Sequence, residues 1–182
     1  DRMLMDMNRG LGRDETLRLL DRIAQKLPGG ALRTTFIVGY PGETDTDFAE
    51  LLALVKEGRF SHAGVFLYSS EPKTPAAKKA DNVPLAVKKE RRDALMLAQR
   101  EVSRQRLRAR VGATVDVMVD GPVPPGAAHP KGAGMIGRTR LEAPDVDGLC
   151  FLRGKAWKKV DPGAVVSARV TDALDYDLIL EA

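Results

Sequence analysis

Residues Arg33–Thr44 limit what this chain can fold into more than any other stretch. Thr34, Thr35, Phe36, Ile37 and Val38 are β-branched or aromatic over the length of a strand, and Gly39, Pro41 and Gly42 end that strand abruptly. Thr44 then stands three residues before Asp47 as a helix cap, and Phe48, Leu51, Leu52 and Val55 recur at helical spacing. A second strand is predicted over Ala63–Tyr68. Strand, glycine turn, amphipathic helix and strand make a right-handed crossover, a unit that binds ligands at the carboxyl ends of its parallel strands. Both turns after the strands are candidate ligand loops.

The glycines do not make a phosphate loop. That motif ends in Gly-Lys-Ser/Thr, whereas Gly42 precedes Glu43, an anion that would repel phosphate at the start of a helix. A nucleoside triphosphatase is excluded. Glycines that supply positive φ serve plain α/β architecture equally well, so the spacing by itself names no ligand.

Two further helices are predicted. Leu17, Leu20, Ile23, Ala24 and Leu27 repeat at helical intervals between Gly12 and the Pro28-Gly29-Gly30 stop, with Met3, Leu4, Met5 and Met7 upstream as packing residues. A long helix is expected over Pro84–Arg110, with Val87, Ala94, Leu95, Ala98, Val102 and Ala109 as an apolar stripe. In it, Lys88, Lys89, Arg91, Arg92, Arg100, Arg104, Arg106, Arg108 and Arg110 outnumber Glu90, Asp93 and Glu101. The excess is larger than the net charge of +4 carried by the entire chain. Such a helix is either a solvated face or a surface for a polyanion such as ribosomal RNA, held by a salt-sensitive attraction without sequence information.

After Gly112 the pattern changes to five short strand-like runs, Thr114–Val119, Met135–Thr139, Leu149–Leu152, Val165–Thr171 and Leu178–Leu180, separated by Gly, Pro and Asp turns. This predicts a small five-stranded barrel, with Pro122–Pro130 as an exposed loop. Asp145 and Asp147, two apart in a Pro/Gly turn, suit hydrogen bonds to nearby backbone and are also placed to meet a basic loop of a partner protein. Trp157, set among Lys155, Lys158 and Lys159, either stacks on an unpaired base or plugs the end of the barrel. His62 and His129 have no second ligand at metal spacing.

Cys150 is the single cysteine, which excludes an internal disulfide and an iron–sulfur cluster held by this chain alone. No apolar run approaches the roughly 20 residues of a membrane span, and no charged-then-apolar leader opens the sequence. No membrane association and a cytoplasmic location are expected.

Ile37-Val38-Gly39-Tyr40-Pro41-Gly42-Glu43-Thr44, Gly64-Val65-Phe66-Leu67-Tyr68-Ser69 and Thr74-Pro75-Ala76-Ala77 resemble the fifth and sixth strand regions of radical S-adenosylmethionine methylthiotransferases. Met7-Asn8-Arg9 is similar to that family's segment after its fourth strand. The resemblance covers nearly the whole chain. It implies an α/β partial (β/α) barrel segment, residues 1–105 including the basic helix, followed by an OB-like all-β TRAM barrel over 108–182. It further implies two cofactors, S-adenosylmethionine and 4Fe-4S clusters, the cluster ligands lying outside this chain. The sequence is therefore expected to be the C-terminal piece of a larger enzyme and inactive alone.

By the same resemblance, Thr35, Gly39 and Glu43 at the first strand and its turn are candidate S-adenosylmethionine contacts, partly through backbone atoms. Phe66 and Tyr68 are candidates for its adenosine end. Ser70 and Lys73 stand where the family has Pro and Gly, and because Lys resists positive φ the turn there is expected to differ. Arg138–Gly148 and Asp175-Tyr176-Asp177-Leu178 are similar to the RimO branch, which modifies an aspartate of a small-subunit ribosomal protein. They fit the tRNA-modifying MiaB branch less well. The resemblance thus implies a small-subunit ribosomal protein as partner, docked by the barrel through Asp145, Asp147 and Trp157, with weak RNA contact through the basic helix. A MiaB-type enzyme and a non-catalytic RNA-binding or ribosome-binding module are the alternatives.

Overall fold

The computed structural model describes residues 1–181, the side chain of Lys158 aside, and these form two compact units, Asp1–Gln99 and a second from Arg100 onward. In the first unit, the helices α1 (Arg2–Asp6) and α2 (Arg13–Lys26) precede strand β1 (Arg33–Val38), helix α3 (Asp45–Lys56) and strand β2 (His62–Leu67). Helix α4 (Leu85–Arg108) begins in this unit and ends in the next.

Local chemistry sets these boundaries. The Thr44 hydroxyl accepts the Asp47 N–H at 3.2 Å and the Asp47 carboxylate accepts the Thr44 N–H at 2.9 Å, the reciprocal cap expected from the sequence. Gly39 and Gly42 adopt φ of +74° and +81°, turning the chain from β1 into α3 within a few residues. Lys73 takes φ of +71°, so the turn adopts a left-handed conformation in spite of its lysine, at a steric cost of about 1–2 kcal/mol.

β1 and β2 pair in parallel, from Arg33 opposite His62 to Val38 opposite Leu67. The period-2 alternation sends Phe36, Val38, Val65 and Leu67 to one side, where they pack with Val55, Leu95, Phe48, Leu51, Leu52 and Ala98 of α3 and α4. Phe36 meets Phe60 edge-on at 5.6 Å. Thr35, Ile37, Gly64 and Phe66 lie on the other side.

The buried face of α4 corrects the apolar stripe drawn from the sequence. Leu95 and Val102 are buried as expected, but so are Lys88, Arg91, Gln99 and Ser103, while Ala109 is exposed. Two of the cations counted toward a solvated or RNA-facing surface are inside the fold, Lys88 held by Asp81 just ahead of the helix and Arg91 by Glu43 and Asp45 far back in the sequence. A helix this polar is amphipathic only when those partners are included.

The second unit is a closed barrel of β3 (Thr114–Pro122), β4 (Ala133–Arg138), β5 (Cys150–Arg153), β6 (Val165–Ala173) and β7 (Leu178–Glu181), in the order β3-β4-β5-β7-β6. All neighbours are antiparallel except β5 and β7, which makes the barrel mixed. Val117, Val119, Met135, Cys150, Leu152, Val170, Leu178 and Leu180 fill its interior. Irregularities in β3 between Val119 and Gly121, and in β4 and β6, bend the strands enough to close the ring. Gly137 has to be glycine because a Cβ there would collide with the Met118 carbonyl of the neighbouring strand. Among the described residues, no helix is long and apolar enough to cross a membrane.

Candidate functional site

The carboxyl end of β1 is braced by charged groups. The Glu43 carboxylate accepts the Gly39 N–H at 3.0 Å and the Arg91 guanidinium at 2.6 Å, and Arg91 reaches Asp45 at 2.6 Å with its other arm. The Arg91 and Glu43 side chains are each only 6% exposed. Burial works to lower the Arg91 pKa, but the hydrogen bonds and charges of Asp45 and Glu43 prevail and raise it, so the guanidinium stays charged. Arg91 also stacks on Phe48, 5.5 Å from the ring centroid.

Lys88 forms the second brace. Its ammonium bridges both Asp81 oxygens at 2.7 Å, donates to the Tyr68 carbonyl at 3.3 Å and sits 5.1 Å from the Tyr68 ring centroid. Its aliphatic stem runs so close to Gly39 that a Cβ at that position would strike it. The Asn82 side chain accepts the Gly42 N–H at 2.8 Å, and Tyr40 donates to the Asp6 carbonyl at 2.9 Å. The turn from Gly39 to Glu43 is thus fixed from several directions.

Next to this rigid turn the sheet presents a bare face. Thr35 lies opposite Gly64 and Ile37 opposite Phe66, and Phe66 is 66% exposed. Tyr68, just past β2, stacks edge-on against Tyr40 at 5.3 Å, and its hydroxyl is buried with no hydrogen-bond partner among the described residues. A buried hydroxyl left unpaired costs about 1–3 kcal/mol. Thr35, Ile37 and Phe66 together leave this face exposed and mostly apolar.

The five residues chosen for the cofactor therefore fall into two groups. Thr35 and Phe66 stand on the open face, with Tyr68 beside it; Gly39 and Glu43 sit within the brace, where the Glu43 carboxylate is occupied by Gly39 and Arg91. Sequence reasoning missed Lys88, Arg91 and Asn82. The sole available signal was the pairing of a carboxylate in the turn with cations at one helix end, and nothing local joins residues 48 positions apart.

On the barrel, Asp147 makes the turn chemistry its spacing suggested: its carboxylate accepts the Ala143 N–H at 2.7 Å and its own N–H donates to the Ala143 carbonyl at 3.2 Å. Asp145 takes φ of +60° beside the exposed Val146 at the tip of this loop. Trp157 corrects the stacking alternative. It is 4% exposed within the barrel core, and its indole N–H donates to the Arg153 carbonyl at 2.6 Å, so the ring has no face for a base.

Metal chemistry finds no ligand set here. No group of three or more His, Cys, Asp or Glu side chains that could hold a metal exists among the described residues. The Cys150 thiol is buried in the barrel, and burial first, then the charge of Glu142, pushes its pKa up to about 12, so it is not a thiolate at neutral pH. The residues present do not fit an iron–sulfur cluster. The β1–β2 face leaves Thr35, Ile37 and Phe66 exposed.

Residues 111–182 match the TRAM domain family. Over 181 residues the chain is 45% identical to the ribosomal protein uS12 methylthiotransferase RimO of Syntrophotalea carbinolica, covering 100% of this chain and 38% of the relative. It is 44% identical to the protein of the same name from Anaeromyxobacter sp. (strain K), covering 98% of this chain and 36% of the relative. With that of Heliobacterium modesticaldum it shares 42% identity over 100% of this chain and 37% of the relative. The chain spans a little over a third of the length of these curated relatives.

Proposed function

Because the chain matches the C-terminal part of ribosomal protein uS12 methylthiotransferases along its whole length, we propose that it is that part of an enzyme placing a methylthio group on an aspartate of a small-subunit ribosomal protein. In this reading residues 1–105 complete the catalytic barrel, residues 108–182 are the TRAM domain that docks the substrate protein, and the enzyme works in the cytoplasm. The observation that carries it is the bare face of the β1–β2 sheet. Parallel sheets are almost always covered on both sides, and here helices cover only one.

Breaking an unactivated C–H bond demands a radical, which S-adenosylmethionine with an iron–sulfur cluster supplies when bound, the cluster ligands lying outside this chain. This chain's own residues bind and orient. Phe66 and Ile37 give the adenine an apolar surface, Thr35 offers a hydroxyl on the same face, and Tyr68 stands beside it against Tyr40. The Gly39–Glu43 turn presents backbone groups in a shape held by Lys88 and Arg91. Asp145 and Asp147, on their exposed loop, face basic side chains of the docked protein.

In the full-length enzyme, Phe66→Ser should weaken S-adenosylmethionine binding by about tenfold in equilibrium dialysis, the scale of one lost aromatic contact, while leaving the thermal midpoint in place. Unchanged binding would remove the β1–β2 face from the cofactor site. Offered both substrates, the enzyme should modify the ribosomal protein and leave tRNA untouched.

A further inference from the structure

Helix α2 buries Leu20 and leaves its opposite side bare. A groove of about 500 Å³ runs along that side, lined by Leu11, Glu15, Arg18, Leu19 and Arg22. Glu15, Arg18, Leu19 and Arg22 follow one another at the spacing of a single helix face, whereas Leu20 stands two positions from each arginine and points away. Leu11, just ahead of the helix, is 43% exposed, and Leu19 is half-buried. The apolar groups on this side are therefore not those that seat α2 in its unit.

The charge of the groove follows from which side chains are already engaged. The Glu15 carboxylate accepts the Gly12 N–H at 3.1 Å, Asp14 lies 3.6 Å from Arg13, and Asp21 pairs with Arg59. Arg18 and Arg22 are exposed, one helical turn apart, and their guanidinium groups have no partner among the described residues. Two free cations thus border two leucines.

A partner for this surface has to be apolar and anionic at once. A nucleic-acid backbone would answer the arginines but set phosphates against the leucines, and Glu15 inside the groove repels a dense row of phosphates or anionic lipid headgroups. A helix with an apolar stripe bordered by carboxylates covers Leu11 and Leu19 and reaches Arg18 and Arg22 with separate charges, to which guanidinium forks are matched. We propose that the outer face of α2 docks an acidic amphipathic helix of a partner protein. The residues concerned belong neither to the cofactor face nor to the barrel loop assigned to the ribosomal protein, so the inference stands apart from the function proposed above.

The test is fluorescence anisotropy with the full-length enzyme and a labelled helical peptide of about 18 residues, long enough to hold its helix in water, with leucines along one stripe and glutamates at its border. Replacing both arginines, Arg18→Ala with Arg22→Ala, should weaken binding about fivefold, the scale of two exposed ion pairs, and Leu11→Ser should cost about as much. A charge-matched pair elsewhere, Lys131→Ala with Lys155→Ala, should leave affinity within about twofold. Reversing the charge, Arg18→Glu with Arg22→Glu, should cost the acidic peptide at least about tenfold and make the enzyme bind the same peptide with lysine in place of glutamate, a gain that unfolding of α2 would not produce.

The proposal is overturned if the full-length enzyme does not bind the acidic peptide, if the two alanine pairs behave alike, or if the reversed pair gains nothing for the basic peptide. It is equally overturned if oligouridylate or anionic lipid vesicles displace the peptide while polyglutamate does not, or if sedimentation shows that the groove is closed by a second copy of the enzyme in a dimer that Leu11→Ser dissociates.

Discussion

Every strand of the barrel unit is hydrogen-bonded on both sides, and its interior is a filled cluster of Val, Leu, Met and Trp side chains. The α/β unit has two strands, one covered face and one bare face, and its key turn is held by ion pairs instead of apolar packing. The difference separates two ways of fixing a chain. Apolar packing in a closed ring is non-directional and tolerates sequence change of similar volume. A buried charge network is directional: it specifies one geometry for the Gly39–Glu43 turn and fails sharply when one member is removed.

The largest expected effect tests that second kind of fixing. Arg91→Met leaves the Glu43 carboxylate buried without its cation and should destabilise the α/β unit by about 3–5 kcal/mol in urea unfolding. Adding Glu43→Gln, which still accepts the Gly39 N–H, should recover at least half of that loss. Failure of the double variant to recover would show that the pair's charge is not what matters.

Leu152→Ala should cost the barrel about 2–5 kcal/mol, because Leu152 is fully buried at its centre. Cys150 supplies the readout. Its thiol, with a pKa near 12, should resist alkylation at mildly alkaline pH in the wild type and react faster in the variant as the barrel opens. Fast labelling of the wild type would contradict a closed barrel.

A smaller effect belongs to the cap of α3. Burial alone would raise the Asp47 pKa, but the Thr44 hydroxyl and N–H and the Arg2 guanidinium hold it below the usual carboxylate range. A lowered folded-state pKa contributes stability that is complete above the unfolded-state value and is lost as pH falls through the folded-state one. Asp47→Asn should therefore cost about 1 kcal/mol at neutral pH, and its deficit relative to wild type should vanish in strong acid. A deficit independent of pH would remove the charge from the account.

The smallest effect marks the bare face. Phe66→Ser should change the stability of this chain by less than about 0.5 kcal/mol, since the ring is mostly exposed. A larger loss would mean that the face is packed in solution.

The same contrast governs what could be read in the sequence. The five barrel strands were legible because alternation and turn residues are local signals, and the Thr44–Asp47 cap was legible because its partners are three residues apart. The role of α4 was misread in part: counting charge cannot show that Lys88 and Arg91 answer to Asp81, Glu43 and Asp45. Trp157 could be narrowed to two readings, and only its burial chose between them.

The contact between the Lys88 stem and Gly39 has a consequence for engineering. Turn and helix fill each other's space so completely that neither can be exchanged without its counterpart. A chimaera spliced ahead of Leu85 would import a foreign helix onto this glycine and unseat the loop. One spliced after Gln99 would carry the native pairing intact, which makes that point the natural seam for grafting other barrels onto the same half.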